Sequence, residues 1–246
     1  MGRDNALQKE DIQMTSEFQK GGLRAVLLLP AAQAPRRLLT LLHGAQESPE
    51  ILLERFDFSP WIERCGLAVL LPELGNSFCL DWGEGKAVRT ALLRELLPAA
   101  QERSGVSPGR EANAVGGISM GGFGAMSLAL CERESFCAAF SLSGALDLKK
   151  AAQLFRICQF PPPGDLCTAA VRPEAQWDML LTQDAVKPAL YLAWGDQDWF
   201  REANRAFARQ VAEQGFSLQT AEKPGLHNWT CWKTSLPPVL EWTAGI

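Results

Sequence analysis

The pentapeptide Gly117-Ile118-Ser119-Met120-Gly121 restricts what this chain can fold into more than any other stretch. The apolar run 113–118 before it predicts a buried strand, and 121–131 after it predicts a helix. A serine between them sits on a sharp strand-to-helix turn that lifts its hydroxyl to the edge of a sheet. Such a turn holds the serine backbone in a strained conformation. Side chains two residues before or after it would collide with the adjoining strand or helix. The pentapeptide alone is a weak signal, so the rest of the chain has to support it.

Only two histidines occur in the 246 residues, which shortens the search for a general base. His43 lies in Leu41-Leu42-His43-Gly44-Ala45, directly after an apolar strand, and His227 lies in Gly225-Leu226-His227-Asn228-Trp229. Acids fall between the serine and the later histidine, in Trp194-Gly195-Asp196-Gln197-Asp198-Trp199-Phe200. Serine, aspartate and histidine then follow one another in the chain order that α/β-hydrolases require. From these residues alone either Asp196 or Asp198 serves.

A serine hydroxyl is a poor nucleophile near neutral pH and needs a base within hydrogen-bond reach. A carboxylate must hold that base in the right tautomer. Ser119, His227 and an aspartate supply these roles, with activity falling as pH drops through the histidine titration. The oxyanion formed on attack needs preorganised N–H donors. The backbone N–H of Met120 is one, and that of Ala45, in the loop after the early strand, is the other. One base suffices, so His43 reads as a loop-shaping residue.

Composition removes several other classes. With 24 Lys and Arg against 28 Asp and Glu, the net charge of −4 argues against nucleic acid or an anionic membrane as partner. No apolar run approaches a transmembrane length, and the first ten residues lack an apolar signal core, so a cytoplasmic location is expected. The seven cysteines form no Cys-x-x-Cys pair and read as reduced thiols. They and the two histidines give no support for a metal site, and the chemistry requires no cofactor.

Strands and helices alternate along the chain. Residues 12–18 and 23–29 predict an opening antiparallel pair, and 37–43 a strand covered on both faces. A helix within 49–64, a strand at 67–72 and a helical stretch at 85–103 follow. After the serine turn come strands at 138–143, 190–194 and 217–222, and helices at 202–214 and 229–242. This pattern predicts one α/β domain with a mainly parallel sheet, and ligands bound at the carboxyl ends of its strands. Residues 147–184 break the alternation. They hold Pro161-Pro162-Pro163-Gly164 and several aromatics, and read as a cap-like insertion over the site or a surface excursion.

These motifs resemble the Putative esterase family of α/β-hydrolases, which includes esterase D, S-formylglutathione hydrolase, the tributyrin esterases and the antigen 85 mycolyltransferases. The matching segments are Leu41-Leu42-His43-Gly44, residues 72–78, 116–125 and 141–147, and His227-Asn228-Trp229-Thr230-Cys231-Trp232. The chain is most similar to the tributyrin-esterase-like branch. That resemblance implies hydrolysis of short acyl esters, in some members of acetylated or feruloylated carbohydrates, through an acyl-enzyme intermediate. It also favours Asp198, which precedes the aromatic pair Trp199-Phe200, over Asp196. Two departures bear on specificity: Asn228 stands where the branch commonly has an acid, and Cys79 where it usually has a tyrosine.

The reading from sequence is therefore a serine carboxylesterase acting on a small-molecule ester. The alternatives are acyl transfer on the same triad and a non-catalytic binding protein on a hydrolase scaffold. Among the eight tryptophans, Trp82 and Trp177 are the candidates for pocket walls, while Trp229 and Trp232 are expected to fasten the closing helix to the sheet. Asp81 either faces the site or lies on an exposed loop.

Overall fold

The computed structural model describes residues 7–246, beginning with an antiparallel pair, β1 (Gln8–Met14) and β2 (Leu23–Leu29). β1 lies earlier in the chain than the expected 12–18. Of its side chains Ile12 alone is buried, and the other positions are mostly Gln, Lys, Glu and Asp. An edge strand of this kind shows little apolar alternation by which to locate it.

β3 (Arg37–Leu42) leads through the His43 loop to α1 (Pro49–Arg55) and α2 (Ser59–Cys65), then β4 (Leu67–Pro72). The single helix expected in 49–64 is divided. The Ser48 side chain caps α1 by accepting from the Ile51 N–H, α1 ends at Phe56, and Pro60 lies in the first turn of α2. Next come α3 (Val88–Ala91), a π-helical turn (Leu92–Leu96) and α4 (Leu97–Ser104). That widened turn falls just before Pro98, whose ring excludes the carbonyl one turn back.

β5 (Asn113–Ile118), α5 (Met120–Cys131) and β6 (Ala138–Leu142) form the centre of the sheet. α6 (Leu148–Ile157), α7 (Leu166–Ala169) and α8 (Trp177–Leu181) follow with no strand between them. β7 (Ala189–Gly195), α9 (Arg201–Glu213), β8 (Leu218–Lys223) and α10 (Trp229–Gly245) complete the chain. The strand order is β1-β2-β4-β3-β5-β6-β7-β8, antiparallel at β1–β2 and β2–β4 and parallel thereafter. This is the α/β-hydrolase architecture expected from the sequence.

The apolar runs reflect burial on both faces. In β4, Leu67, Val69 and Leu71 pack with Phe58, Ile62 and Leu236, while Ala68 and Leu70 enter the opposite core with Phe123, Met126 and Phe207. Period-two alternation sends successive side chains to opposite faces, so a strand covered twice needs no polar residue. Because β3, β5, β7 and β8 run parallel, their carboxyl ends share one edge. The loops that begin at residues 43, 119, 196 and 224 open there.

Candidate active site

Ser119 occupies the turn between β5 and α5 with φ 54° and ψ −111°, a conformation an L-residue adopts only under constraint. Its N–H donates to the Leu142 carbonyl at 2.8 Å, and its carbonyl accepts from the Ala145 N–H at 2.9 Å. Both flanking glycines are required by contact. A Cβ on Gly117 would stand 2.1 Å from the Gly121 carbonyl oxygen, and one on Gly121 would stand 2.2 Å from that of Leu42. The turn aims Ser119 Oγ at Nε2 of His227, 2.8 Å away.

His227 enters from the loop between β8 and α10. Its Nδ1 lies 3.0 Å from both carboxylate oxygens of Asp198, whose side chain is fully buried. Asp198 Oδ1 also accepts the Phe200 N–H at 2.7 Å, fixing the carboxylate on its own loop. Asp196 does not meet the imidazole; its Oδ1 accepts the Gly225 N–H at 3.1 Å and braces the loop that carries His227. Three rings enclose the imidazole: Trp199 stacks on it at 5.2 Å and 18°, Phe200 approaches at 5.4 Å, and Trp232 meets it edge-on at 5.1 Å and 90°. Asn228, where an acid was expected from the resemblance, caps α10 by accepting the Cys231 N–H at 3.2 Å. Asparagine and aspartate perform this task about equally well.

The loop after β3 has most of its amides engaged. Gly44 N–H donates to Glu47 Oε2 at 2.9 Å, Gln46 N–H to Asn76 Oδ1 at 2.9 Å, and Glu47 N–H to the Gly44 carbonyl at 3.3 Å. Among the described residues the Ala45 N–H has no such acceptor, and Ala45 lines the cavity above Ser119 together with Met120. His43 is fully buried; Nδ1 donates to the Gly44 carbonyl at 2.7 Å and Nε2 accepts the Leu74 N–H at 3.0 Å. Both its nitrogens are occupied in holding this loop.

The cavity at Ser119 measures about 180 Å³. α6 and the turn after it close one end with Leu154, Phe155, Cys158 and Phe160, and Trp199 and Trp232 stand near His227. Trp82 and Trp177, the expected pocket walls, line no part of it. The Trp82 indole donates to the Ser77 carbonyl at 2.8 Å and lies under Arg172, whose guanidinium sits 4.7 Å from the ring centre. Trp177 donates to the Leu146 carbonyl at 2.9 Å and is wedged between Phe123 and Phe207. Asp81 turns away as well, bonding the N–H and hydroxyl of Thr90 at the start of α3. Burial pushes the Cys79 thiol up to about 12, against the opposing pull of Arg89, so it stays protonated and inert.

Sequence reasoning did not find Glu47, Phe155, Phe160 or Trp199 as site residues, and it assigned Trp232 to packing alone. Trp199 carried one usable signal, being a large aromatic next to the candidate acid; in the structure it remains half exposed. Among the described residues no three His, Cys, Asp or Glu gather as a metal site. No described helix is long and apolar enough to cross a membrane. A hydroxyl bonded to an imidazole, itself bonded to a buried carboxylate, is the arrangement that lets serine attack a carbonyl carbon.

Comparison with known proteins agrees with this chemistry. The model of the Esterase family, described as Putative esterase, matches residues 82–243. An acetyl esterase of Caldicellulosiruptor saccharolyticus is 26% identical over 204 residues, covering 74% of each chain. Among solved structures, FphF, a fluorophosphonate-binding serine hydrolase of Staphylococcus aureus, superposes with a TM-score of 0.83 at 19% identity. The match covers 97% of this chain and 98% of that one. A ferulic acid esterase superposes with a TM-score of 0.80 at 20% identity, over 98% and 99% of the two chains. The chain belongs to the Esterase family and is a serine hydrolase acting on carboxylic ester bonds, built on the α/β-hydrolase fold.

Proposed function

We propose that the chain hydrolyses short-chain acyl esters in two steps, with Ser119 as nucleophile, His227 as base and Asp198 as its orienting acid. The Ser119 oxygen attacks the ester carbonyl carbon while His227 Nε2 takes the hydroxyl proton. The N–H groups of Ala45 and Met120 hold the resulting oxyanion. Its collapse expels the alcohol, which leaves with the proton from His227, and an acyl group remains on Ser119. Water, deprotonated by His227, then attacks the acyl carbon and releases the acid.

The observation that carries this reading is the 2.8 Å contact between Ser119 Oγ and His227 Nε2 at the floor of the cavity. The cavity of about 180 Å³ is small beside the ~300–1,000 Å³ of sites for drug-sized ligands. Its size favours acetyl and butyryl groups over a feruloyl group, in keeping with the name of the acetyl esterase relative. Acetylated carbohydrates are the leading class of natural substrate on this account. The chain acts as one domain, in which residues 147–184 serve as a cap-like insertion whose helix α6 shapes the acyl end.

Intact-mass measurement tests the mechanism. Protein quenched shortly after mixing with p-nitrophenyl acetate should carry one acetyl group on Ser119, and the Ser119→Ala protein should carry none. An acetyl group placed on another residue of the site would overturn the assignment.

A further inference from the structure

A second, mainly apolar cavity, of about 370 Å³, adjoins the cavity at Ser119. The two spaces share Phe155 and Phe160 as lining residues. These rings meet edge-on at 5.6 Å and 88°. Their pairing is a consequence of how α6 ends. Gln159 adopts φ 56°, the Phe160 N–H donates to the Phe155 carbonyl at 2.9 Å, and the Gln159 N–H donates to that of Arg156 at 3.3 Å. This is the Schellman termination, in which the second residue past the cap packs on the last turn of the helix. Asn76 then ties the turn down. Its Nδ2 donates to the Pro161 carbonyl at 2.8 Å, while its Oδ1 accepts the Gln46 N–H of the loop that carries Ala45. The wall is thus fastened at both sides, and to the same loop that presents the candidate oxyanion donor.

We propose that Phe160, braced by Phe155, is the end wall that sets the acyl-length limit of this enzyme. The second cavity is the space a longer chain enters once that wall is cut back. The inference rests on the esterase reading above. The occupant of this end is hydrocarbon, because Leu154, Phe155 and Phe160 present no side-chain group able to hydrogen-bond a sugar hydroxyl and Cys158 offers only a weakly bonding thiol. The polar side chains Arg156, Gln159 and Asp165 lie on the outer cavity instead.

The test compares kcat/KM on p-nitrophenyl acetate, butyrate, hexanoate and octanoate for the full chain and two variants. Phe160→Ala should raise the octanoate-to-acetate ratio by about tenfold or more, the scale on which apolar pockets discriminate single methylene groups. Phe160→Trp should lower butyrate relative to acetate. A loosened cap would lower every ester alike, so opposite shifts from the two variants separate a wall from a merely structural residue. An unchanged ratio in Phe160→Ala overturns the proposal. If that variant also loses acetate turnover, Phe160→Leu is read by the same ratio and decides the matter in the same way. Absence of serine-dependent acetate turnover in the wild-type protein is a separate result: it removes the esterase reading itself, and this inference with it.

Discussion

Asp198 holds both carboxylate oxygens 3.0 Å from Nδ1 of His227, while Asp196 bonds the Gly225 N–H at 3.1 Å. The two acids therefore brace one loop differently, one through the imidazole and the other through the backbone before it. Asp198→Asn should lower kcat by about 10⁴, the scale reported for a triad left with the wrong histidine tautomer. Asp196→Asn should lower it far less. Steady-state kinetics on p-nitrophenyl acetate decides between them, and a larger loss in Asp196→Asn would reassign the acid.

Glu47 connects two parts of the site. Its Oε2 accepts the Gly44 N–H at 2.9 Å, and its Oε1 accepts the Trp229 indole N–H at 2.6 Å. The carboxylate thus joins the loop presenting Ala45 to the helix that follows His227. Removing one oxyanion donor outright costs about 10²–10³ in kcat. Glu47→Ala, which only frees the loop of the proposed donor Ala45, should cost up to about 10² in kcat, with KM little changed. A rise confined to KM would show that Glu47 acts on substrate binding instead.

Legibility in the sequence followed burial. The strands 67–72 and 113–118 were readable to the residue because both of their faces are covered, which leaves an unbroken apolar run. β1 was not, because a polar edge strand looks like a loop. Ser119 and His227 follow from motif and chain order, and the family resemblance favours Asp198 over Asp196; in the structure Ser119 and Asp198 each stand within hydrogen-bond distance of His227. The sequence does not say which way Trp82, in the loop after β4, or Trp177, in the insertion, turns its ring. Phe155 and Phe160 became visible only through a helix ending in which glutamine holds the left-handed position usually given to glycine.

That glutamine provides a stability test. Gln159 at φ 56° bears the cost of a Cβ in the left-handed region, which glycine avoids at some loss of backbone entropy. Gln159→Gly should raise stability by up to about 1 kcal/mol in urea titration. A loss of stability would mean that the side chain supports the turn in another way.

Acid stability depends on Glu222. The Arg205 guanidinium, helped by Arg201 and the Trp194 indole, holds its carboxyl down at about 2 from an ordinary 4.5, against the opposing effect of desolvation. A carboxyl with a depressed folded value contributes stability above 4.5, and that contribution fades as pH falls toward 2. Thermal melts should therefore show a steeper loss for the wild-type protein than for Glu222→Gln across this window. Parallel melting curves would remove Glu222 from the account.

The most direct measurement is hydrolysis of p-nitrophenyl acetate by the wild-type protein and by Ser119→Ala. Steady turnover that falls by about 10⁶ in the variant, at an unchanged melting temperature, is the predicted result. Equal turnover by the two proteins would contradict Ser119 as the nucleophile and the mechanism built on it.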